Sequence, residues 1–434
     1  KKLIKKFIPK ELLLVYHYLL ALLATVYYGF PAKKMIVIGV TGTKGKTSAI
    51  NFIWSCLSAG GDKVGIISTA NIRIGEKEFL NKYHMTMPGR FAIQGLMSQM
   101  VKEGCKYCLV ETTSEGLKQY RHVGVYYNVA LFTNLYPEHL QSHEGSFEKY
   151  KEMKGRMFES LYTTKKVIDG KEVEKTIIVN NDDENSDYFY SFKADKKLTF
   201  GIKNKADVMA TNIKETKEGV DFTLGDKDFK LSILGKFNVY NALPAIEIAR
   251  LFGINDEDIS KGLMNLKTIP GRMEKIEEGQ NFTVVVDYAH EKQSFTNVLE
   301  TANNMREAGA KIIITLGAEG GGRDKAKRPI MGELAAKMAD YIVVMSVDPY
   351  DDDPKEILED IAISAEKNGK IRGENLFVIE DRREGINKAL SLAKENDIVL
   401  VTGKGAEQSM IIGGKKSYWD DRLVVREELK KIIK

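Results

Sequence analysis

Apolar residues in this chain fall into short, β-branched runs that alternate with longer segments of helical spacing, starting at Met35. The runs at 35–40, 107–112, 128–133, 176–180, 282–287, 311–316, 341–345 and 397–402 predict buried strands. Between them, segments at 91–103, 240–252, 294–307 and 330–338 carry apolar residues three and four apart and predict helices. This alternation predicts an α/β fold with a largely parallel sheet. Residues 206–234 read differently. Val208, Ile213, Val220, Phe222, Leu224, Phe229, Leu231 and Ile233, with turns at Glu218-Gly219 and Gly225-Asp226, predict an antiparallel excursion inside the first large domain. A second α/β unit starts near Pro270-Gly271-Arg272, which divides the chain into a helix over 1–34, a central domain over 35–268 and a C-terminal domain over 269–434.

Before the first strand lies a different pattern, the apolar run from Leu12 to Phe30, which approaches the length of a membrane span. No small-residue cleavage site follows it, and only Pro31 to Lys34 separate it from the first strand, which argues against a signal peptide. A spanning helix would put Lys1, Lys2, Lys5, Lys6 and Lys10 on the far side of the membrane from the rest of the chain, against the positive-inside tendency. The lysines, the tyrosines and His17 suit a helix lying in the inner interface of a membrane, held by apolar area and by anionic lipid. A helix packed on the following domain is the other structural reading.

The chain has 434 residues, enough for two or three domains, and 43% apolar content to fill their cores. Its net charge of +5 is spread over interspersed charges of both signs, which argues against nucleic acid as the main partner. Cys56, Cys105 and Cys108 are too few for a disulfide framework and indicate a reducing, cytoplasmic setting. Cys105-Lys-Tyr-Cys108 has no second pair to complete a metal site and reads as core thiols.

The first strand, Ile36-Val-Ile-Gly-Val-Thr41, runs directly into Gly42-Thr43-Lys44-Gly45-Lys46-Thr47-Ser48. Such a loop cradles phosphate: the glycines let backbone N–H groups face an anion, Lys46 reaches the outer phosphates and the Thr47 hydroxyl is placed to ligate Mg²⁺. The usual GxxxxGK[ST] spacing is not met, because position 40 is Val. Further polar groups sit where strands end. Glu111 closes the run at 107–112 as a possible Mg²⁺ ligand, and Glu138-His139-Leu-Gln-Ser-His143 places imidazoles four residues apart. Asp287-Tyr-Ala-His290 follows the strand at 282–287, at the carboxyl end where α/β sheets place ligands. Lys154, taken alone, reads as a solvated helix lysine.

Together these motifs resemble those of the Mur ligases, ATP-dependent enzymes that build the peptide stem of peptidoglycan, and most of all the branch that adds the third stem residue. The resemblance covers about residues 36–425: Thr41-Gly-Thr-Lys-Gly-Lys-Thr47, Glu111-Thr-Thr-Ser114, Phe132-Thr-Asn-Leu135, Glu138-His-Leu140, Tyr150 to Phe158, Phe237-Asn238 with Asn241, Gly271-Arg-Met-Glu274, Asp287-Tyr-Ala-His290, Arg323-Asp-Lys with Lys327-Arg-Pro329, and Gly403-Lys-Gly405. It implies a P-loop central ATPase domain and a C-terminal Rossmann-like α/β domain. It also implies a reaction in which ATP phosphorylates a carboxylate of a muramyl peptide and an amino acid attacks the acyl phosphate. By the family pattern Thr47 and Glu111 hold one Mg²⁺, while His143 and a carbamylated Lys154 serve a second. Lys46, Lys154 and His143 are the implied catalytic groups. Asn238, Asn241, Arg272, Asp287 and His290 match positions that touch the nucleotide. Thr86, Thr113, Ser114, Gln119 and Arg121 match positions that hold the acceptor, and Arg323, Asp348, Tyr350, Gly403 and Glu407 match the amino-acid pocket. The expected state is a monomer.

Two departures from the family shape the expectation. The phosphate-loop strand begins at residue 35, which implies that the N-terminal domain binding the uridine carrier is missing and suggests a lipid-linked acceptor at the membrane face. Where diaminopimelate-adding enzymes read Asp-Asn-Pro-Arg, this chain has Val347-Asp-Pro-Tyr350 followed by Asp351, Asp352 and Asp353. Loss of that arginine removes the partner of a distal carboxylate, so an acidic pocket with Glu407 is expected to favour lysine or ornithine. The alternatives are a relative acting on folate or on a lipid-linked glutamate, or a membrane-tethered nucleotide-binding scaffold without turnover.

Overall fold

The computed structural model describes residues 10–433 other than 82, 84, 139, 169 and 217, and of Lys10 and Glu11 only the backbone. Lys1, Lys2, Lys5, Lys6 and His139 therefore lie outside the described residues. The chain forms two compact units. One comprises the residues up to Ile213 with Asp221–Leu231 and Asn238–Leu266; the other comprises Lys214–Val220, Ser232–Phe237 and the residues from Lys267 onward.

The first unit is organised on strand Ile36–Thr41, which is buried along its whole length. It pairs in parallel with Tyr107–Glu111 on one side and Val129–Phe132 on the other, with Val40 opposite Glu111 and Thr41 opposite Phe132. These strands are covered on both faces, which is why they read as unbroken apolar runs. The eleven-stranded sheet continues outward through Thr176–Asn180, Lys196–Gly201, Val208–Thr216, Gly219–Leu224 and Lys227–Leu231 on one side, and through Val64–Ile67, Asn71–Ile74 and Lys77–Leu80 on the other. Val208–Thr216 pairs in parallel with Lys196–Gly201, and the strands between 206 and 234 continue the main sheet from there.

Helix Lys46–Ala59 leaves the phosphate loop and packs on helix Asp256–Asn265, where Ser55 Oγ donates to the Gly262 carbonyl at 2.7 Å. The consequence for function is positional. Thr41, Glu111 and Phe132 end side by side, and the loops that follow them form one rim.

The apolar N-terminal run forms helix Lys10–Tyr27, which packs against helix Arg90–Lys102. Among the described residues no helix is long and apolar enough to cross a membrane, so the spanning reading is not supported.

The second unit holds a six-stranded sheet in the order Glu274–Lys275, Thr283–Asp287, Ile398–Thr402, Ile312–Leu316, Tyr341–Met345, Leu376–Ile379. Only the two-residue edge strand is antiparallel. Asp287 lies opposite Thr402, so the motif that begins at Asp287 and the loop at Gly403 leave the sheet together. Arg382, fully buried against Asp421 at 2.6 Å, also donates to the carbonyls of Ser346 and Thr402 at 3.1 and 2.8 Å. One ion pair thereby anchors the starts of two loops, and its buried charges are satisfied by hydrogen bonds on every side.

Candidate functional site

In the first unit the phosphate loop is held from outside by the loop after Phe132. Asn134 accepts from the Lys44 N–H through its side chain and from the Thr43 N–H through its carbonyl, both at 2.8 Å. Thr133 Oγ1 donates to the Lys44 carbonyl at 2.7 Å. These contacts leave no room at Gly42, where a Cβ would stand 2.0 Å from Thr133 Oγ1 and where φ is +146°. At Gly45, which caps the following helix with φ +80°, a Cβ would meet the Asn241 side-chain oxygen at 2.3 Å. Asn241, which stands against the loop, in turn donates to Asn238 at 2.8 Å. Thr43 bonds Tyr150 at 3.3 Å, Lys44 pairs with Glu138 at 3.0 Å, and Ser48 is buried in the first helical turn.

Lys46 folds back over the loop and donates to the carbonyls of Gly42 and Thr43 at 3.0 and 2.9 Å. Lys154 reaches the same Gly42 carbonyl at 2.8 Å. Lys154 is 2% exposed, which overturns its reading as a solvated helix lysine: one face of helix Phe147–Leu161 turns it into the core beneath the loop. Burial lowers Lys154 to about 7, with Glu138 and Glu111 opposing the shift. Burial and then the Lys154 charge lower Lys46 to about 8.

Glu111 meets Thr47 at 2.9 Å and also accepts from the Thr69 N–H and hydroxyl at 2.8 and 2.9 Å. A hydroxyl and a carboxylate side by side, next to a phosphate cradle, are hard oxygen donors that fit Mg²⁺. Among the described residues no group of three or more His, Cys, Asp or Glu side chains is placed to hold a metal ion by itself. Thr69 was not legible in the sequence, since Ser68-Thr-Ala carries no pattern; it links Glu111 to Thr86, whose hydroxyl lies 2.8 Å from its own.

The acceptor candidates gather on the same rim. Thr113 caps the short helix Ser114–Lys118 by accepting from the Gly116 N–H, and Ser114 Oγ lies 3.0 Å from His143 Nε2. His143 and Lys154 flank the Tyr150 ring, His143 at 5.2 Å between ring centroids and Lys154 Nζ at 4.5 Å from the ring centre. Arg121 donates to the Gln119 side chain at 2.8 Å and to the Met87 carbonyl. Arg90, missed in the sequence, donates to the Gln119 carbonyl, and its charge lies close enough to Arg121 to be lowered by it after burial. The Nε atoms of both arginines are buried without a hydrogen-bond partner. This leaves two half-buried cations side by side at Gln119.

The second unit carries the other candidates. Asp287 accepts from the Met273 and Ala289 N–H groups, each at 2.7 Å, and so fixes the turn beside Arg272. The Arg272 guanidinium lies 4.5 Å from the Tyr288 ring centre, and His290 Nδ1 is 2.6 Å from the Tyr288 carbonyl. Tyr288 donates to Glu407 at 3.0 Å. Lys404, completely buried, binds Glu407 at 2.9 Å and Asp348 at 2.8 Å. Burial opposes its charge, but Glu407 and Asp348 outweigh burial and raise it. Gly403, with φ +111°, sets the turn that places Lys404. Arg323 lies 5.9 Å from the Tyr350 ring centre and 3.5 Å from its hydroxyl.

One correction follows for this pocket. Of the three acids after Tyr350, Asp352 accepts from the Gly321 N–H and Asp353 caps helix Pro354–Lys367, so these two serve the backbone rather than a substrate amine.

Comparison with known proteins agrees with this geometry. The Mur ligase middle domain matches residues 40–249, and the Mur ligase glutamate ligase domain matches residues 271–405. A UDP-N-acetylmuramoyl-L-alanyl-D-glutamate--2,6-diaminopimelate ligase of Geobacillus thermodenitrificans is 37% identical over 421 residues, which span 95% of this chain and 82% of the relative. A UDP-N-acetylmuramyl-tripeptide synthetase of Roseiflexus sp. is 36% identical over 418 residues, 94% of this chain and 81% of the relative. Among solved structures, a UDP-N-acetylmuramoyl-L-alanyl-D-glutamate--2,6-diaminopimelate ligase superposes with a TM-score of 0.62 at 28% identity, covering 92% of this chain and 79% of the other.

Proposed function

This chain belongs to the Mur ligase family of ATP-dependent amide-forming enzymes, and on that premise we propose that it joins a diamino acid to a muramyl dipeptide. The observation that carries the reading is the meeting of Thr47 and Glu111 at the base of a phosphate loop on which Lys46 and Lys154 converge.

In the proposed reaction a carboxylate oxygen of the acceptor attacks the γ-phosphorus of ATP and ADP leaves. The amine of the incoming amino acid attacks the acyl carbon, loses a proton, and inorganic phosphate leaves. Phosphoryl transfer asks the protein for alignment and charge neutralisation more than for covalent help. Lys46, released from the Gly42 and Thr43 carbonyls, turns to the phosphates. The first N–H groups of helix Lys46–Ala59 face the same anion, while Asn134 holds those of Thr43 and Lys44 and Asn241 stands against the loop at Gly45. Thr47 and Glu111 are the residues that would hold Mg²⁺, which supplies neutralisation of phosphate charge. Thr86, Thr113, Ser114, Gln119 and Arg121 receive the acceptor, and Arg272, Asp287 and His290 are candidates for nucleotide contacts by their match to the family pattern.

Lys154 has a special part in this reading. An amine lowered to about 7 is half neutral at physiological pH, and only the neutral amine adds CO₂. The product is a carbamate and a proton; the carbamate replaces a buried cation by an oxygen ligand beside His143. For the amino acid, Arg323 takes the α-carboxylate, and Tyr350 leaves the far end without a guanidinium. Lysine or ornithine is then favoured over diaminopimelate.

The test is inorganic phosphate release across a panel of amino acids with uridine-linked muramyl dipeptide. Release that needs ATP, acceptor and a diamino acid together supports the reading. Release indifferent to acceptor and amino acid would leave a nucleotide-binding scaffold instead. A second reading places the same dipeptide on a lipid carrier; the outward apolar face of helix Lys10–Tyr27 favours it, and lipid-linked acceptor in vesicles is the added arm of the assay.

A further inference from the structure

Helix Lys10–Tyr27 is amphipathic in the reverse sense. The side it turns to the protein carries small residues: Ala21, Ala24 and Thr25 are at most 1% exposed. Thr25 lies where a Cβ on Gly124 would stand 2.0 Å from its hydroxyl, and Tyr28 lies 3.1 Å from the corresponding point on Gly95. Small residues meet glycines here, so the helix seats closely and has no need of its large apolar side chains. Those point outward instead. Leu12, Val15, Tyr16, Leu19, Leu23, Val26 and Tyr27 are each between 53% and 72% exposed, and their spacing of three and four places them on one stripe. Phe91, 36% exposed and 6.0 Å from the Tyr27 ring, prolongs the stripe onto the neighbouring helix. An apolar patch of this size on a folded surface marks an interaction site.

Charge selects the partner. From Leu12 to Gly61 the sequence holds no Asp or Glu, while Lys1, Lys2, Lys5, Lys6 and Lys10 precede the stripe, and Lys33 and Lys34, both exposed, follow it. Two copies packed through this face would bring like charges together, whereas an anionic surface neutralises them. Tyr16 and Tyr27 bring rings with polar tips to the stripe, side chains suited to the headgroup level.

We propose that the outward face of helix Lys10–Tyr27, with Phe91, docks this protein on an anionic lipid bilayer, the helix lying in the interface plane without crossing it. The face lies close to the acceptor candidates of the same unit: Tyr18 packs edge-on against Tyr120 at 5.7 Å, between Gln119 and Arg121. Docking would therefore set that rim beside the headgroups. The inference concerns where the enzyme sits and holds for either carrier.

The test is co-sedimentation of the full chain with vesicles of phosphatidylcholine alone or with phosphatidylglycerol, beside the double variant Leu19→Glu, Leu23→Glu. Both positions are exposed, so the variant keeps the fold and its phosphate release in solution. Wild type should partition at least about tenfold more strongly onto the anionic vesicles than onto neutral ones, lose that preference in high salt, and fall by a similar factor in the variant. Equal binding by wild type and variant, or equal binding to both vesicle types, overturns the proposal. So does a concentration-dependent dimer, abolished in the variant, in a protein that ignores vesicles.

Discussion

Lys46 and Lys154 donate to the same carbonyl oxygen, that of Gly42, one from the loop's own helix and the other from helix Phe147–Leu161. One oxygen shared by two buried ammonium groups is a poor resting arrangement, and each is pulled below its ordinary value, to about 8 and about 7. The strain is purposeful in the proposed reaction, since ATP takes Lys46 and CO₂ takes Lys154. Without them it costs stability. The folded state binds fewer protons than the unfolded chain between about 7 and the ordinary lysine value of 10.5, so the nucleotide-free protein should gain stability as pH rises through that window. Below about 7 the full cost of the buried cation is present. Lys154→Met should therefore stabilise the nucleotide-free protein at pH 6 by roughly 1–3 kcal/mol in urea unfolding while abolishing phosphate release. Unchanged or reduced stability at pH 6 would count against a charged Lys154 in that pocket.

The carbamate itself has a direct signature. Protein equilibrated with ¹³C-bicarbonate at pH 8 should show a carbamate carbon resonance that is missing in Lys154→Met, and the resonance should weaken as pH falls through about 7, where the amine becomes protonated. Phosphate release should follow the same curve and rise with added bicarbonate. A resonance of equal size in the variant would assign it to another amine.

Legibility in the sequence followed how local each signal is. Lys46 and Thr47 could be read because strand, glycines and helix are contiguous, and the buried strands of both sheets could be read because burial on two faces leaves unbroken apolar runs. Asn71–Ile74 and Lys77–Leu80 escaped, being short strands at the open edge with polar residues such as Arg73, Lys77 and Glu78. Lys154 was misread because nothing within its helix tells that one lysine faces the core; the Gly42 carbonyl that meets it is 112 residues away. Thr69 and Arg90 escaped for the same reason, each acquiring its role from partners on other loops. Asp352 and Asp353 were read as pocket acids when they are turn and cap acids, a use of Asp that looks the same in sequence.

Glu111 offers its carboxylate to Thr47 and to both donors of Thr69. Glu111→Gln keeps the shape but removes the negative charge and presents an amide to the Thr47 hydroxyl. The turnover number should fall by about a hundredfold or more, and the Mg²⁺ concentration for half-maximal activity should rise. Circular dichroism should stay at wild type. A loss that tracks unfolding, or activity with undiminished Mg²⁺ response, would remove Glu111 from the metal.

Arg90 and Arg121 both converge on Gln119 and keep buried Nε donors without a partner. The two half-buried charges would attract an anionic group of the acceptor. Arg90→Gln should raise KM for the muramyl dipeptide by about tenfold with little change in KM for ATP, as expected for one charge-assisted contact. Equal rises for both substrates would mean that the substitution disturbs the rim generally.

Tyr350 is where choice between diamino acids should be decided. Its backbone is held in the left-handed region, φ +54°, by the N–H it gives to the Ile411 carbonyl and by its own carbonyl, which accepts from Gly413. That geometry places its ring beside Arg323. Lysine and diaminopimelate differ by one carboxylate at the far end, and the only cation among these pocket candidates not already paired with a carboxylate is Arg323, which the α-carboxylate would occupy. Asp348 and Glu407 cannot be recruited without unpairing the buried Lys404. Tyr350→Arg supplies the second guanidinium without adding a new backbone demand, since both side chains carry a Cβ at the same φ. The ratio of kcat/KM for diaminopimelate over lysine should rise by about tenfold to a hundredfold, the range for a charge-assisted hydrogen bond to a carboxylate. Phosphate release with each amino acid at saturating ATP and acceptor measures it. A ratio that stays at the wild-type value would show that position 350 does not face the distal end of the substrate, and the preference for a terminal amine would then have to come from elsewhere in the second unit.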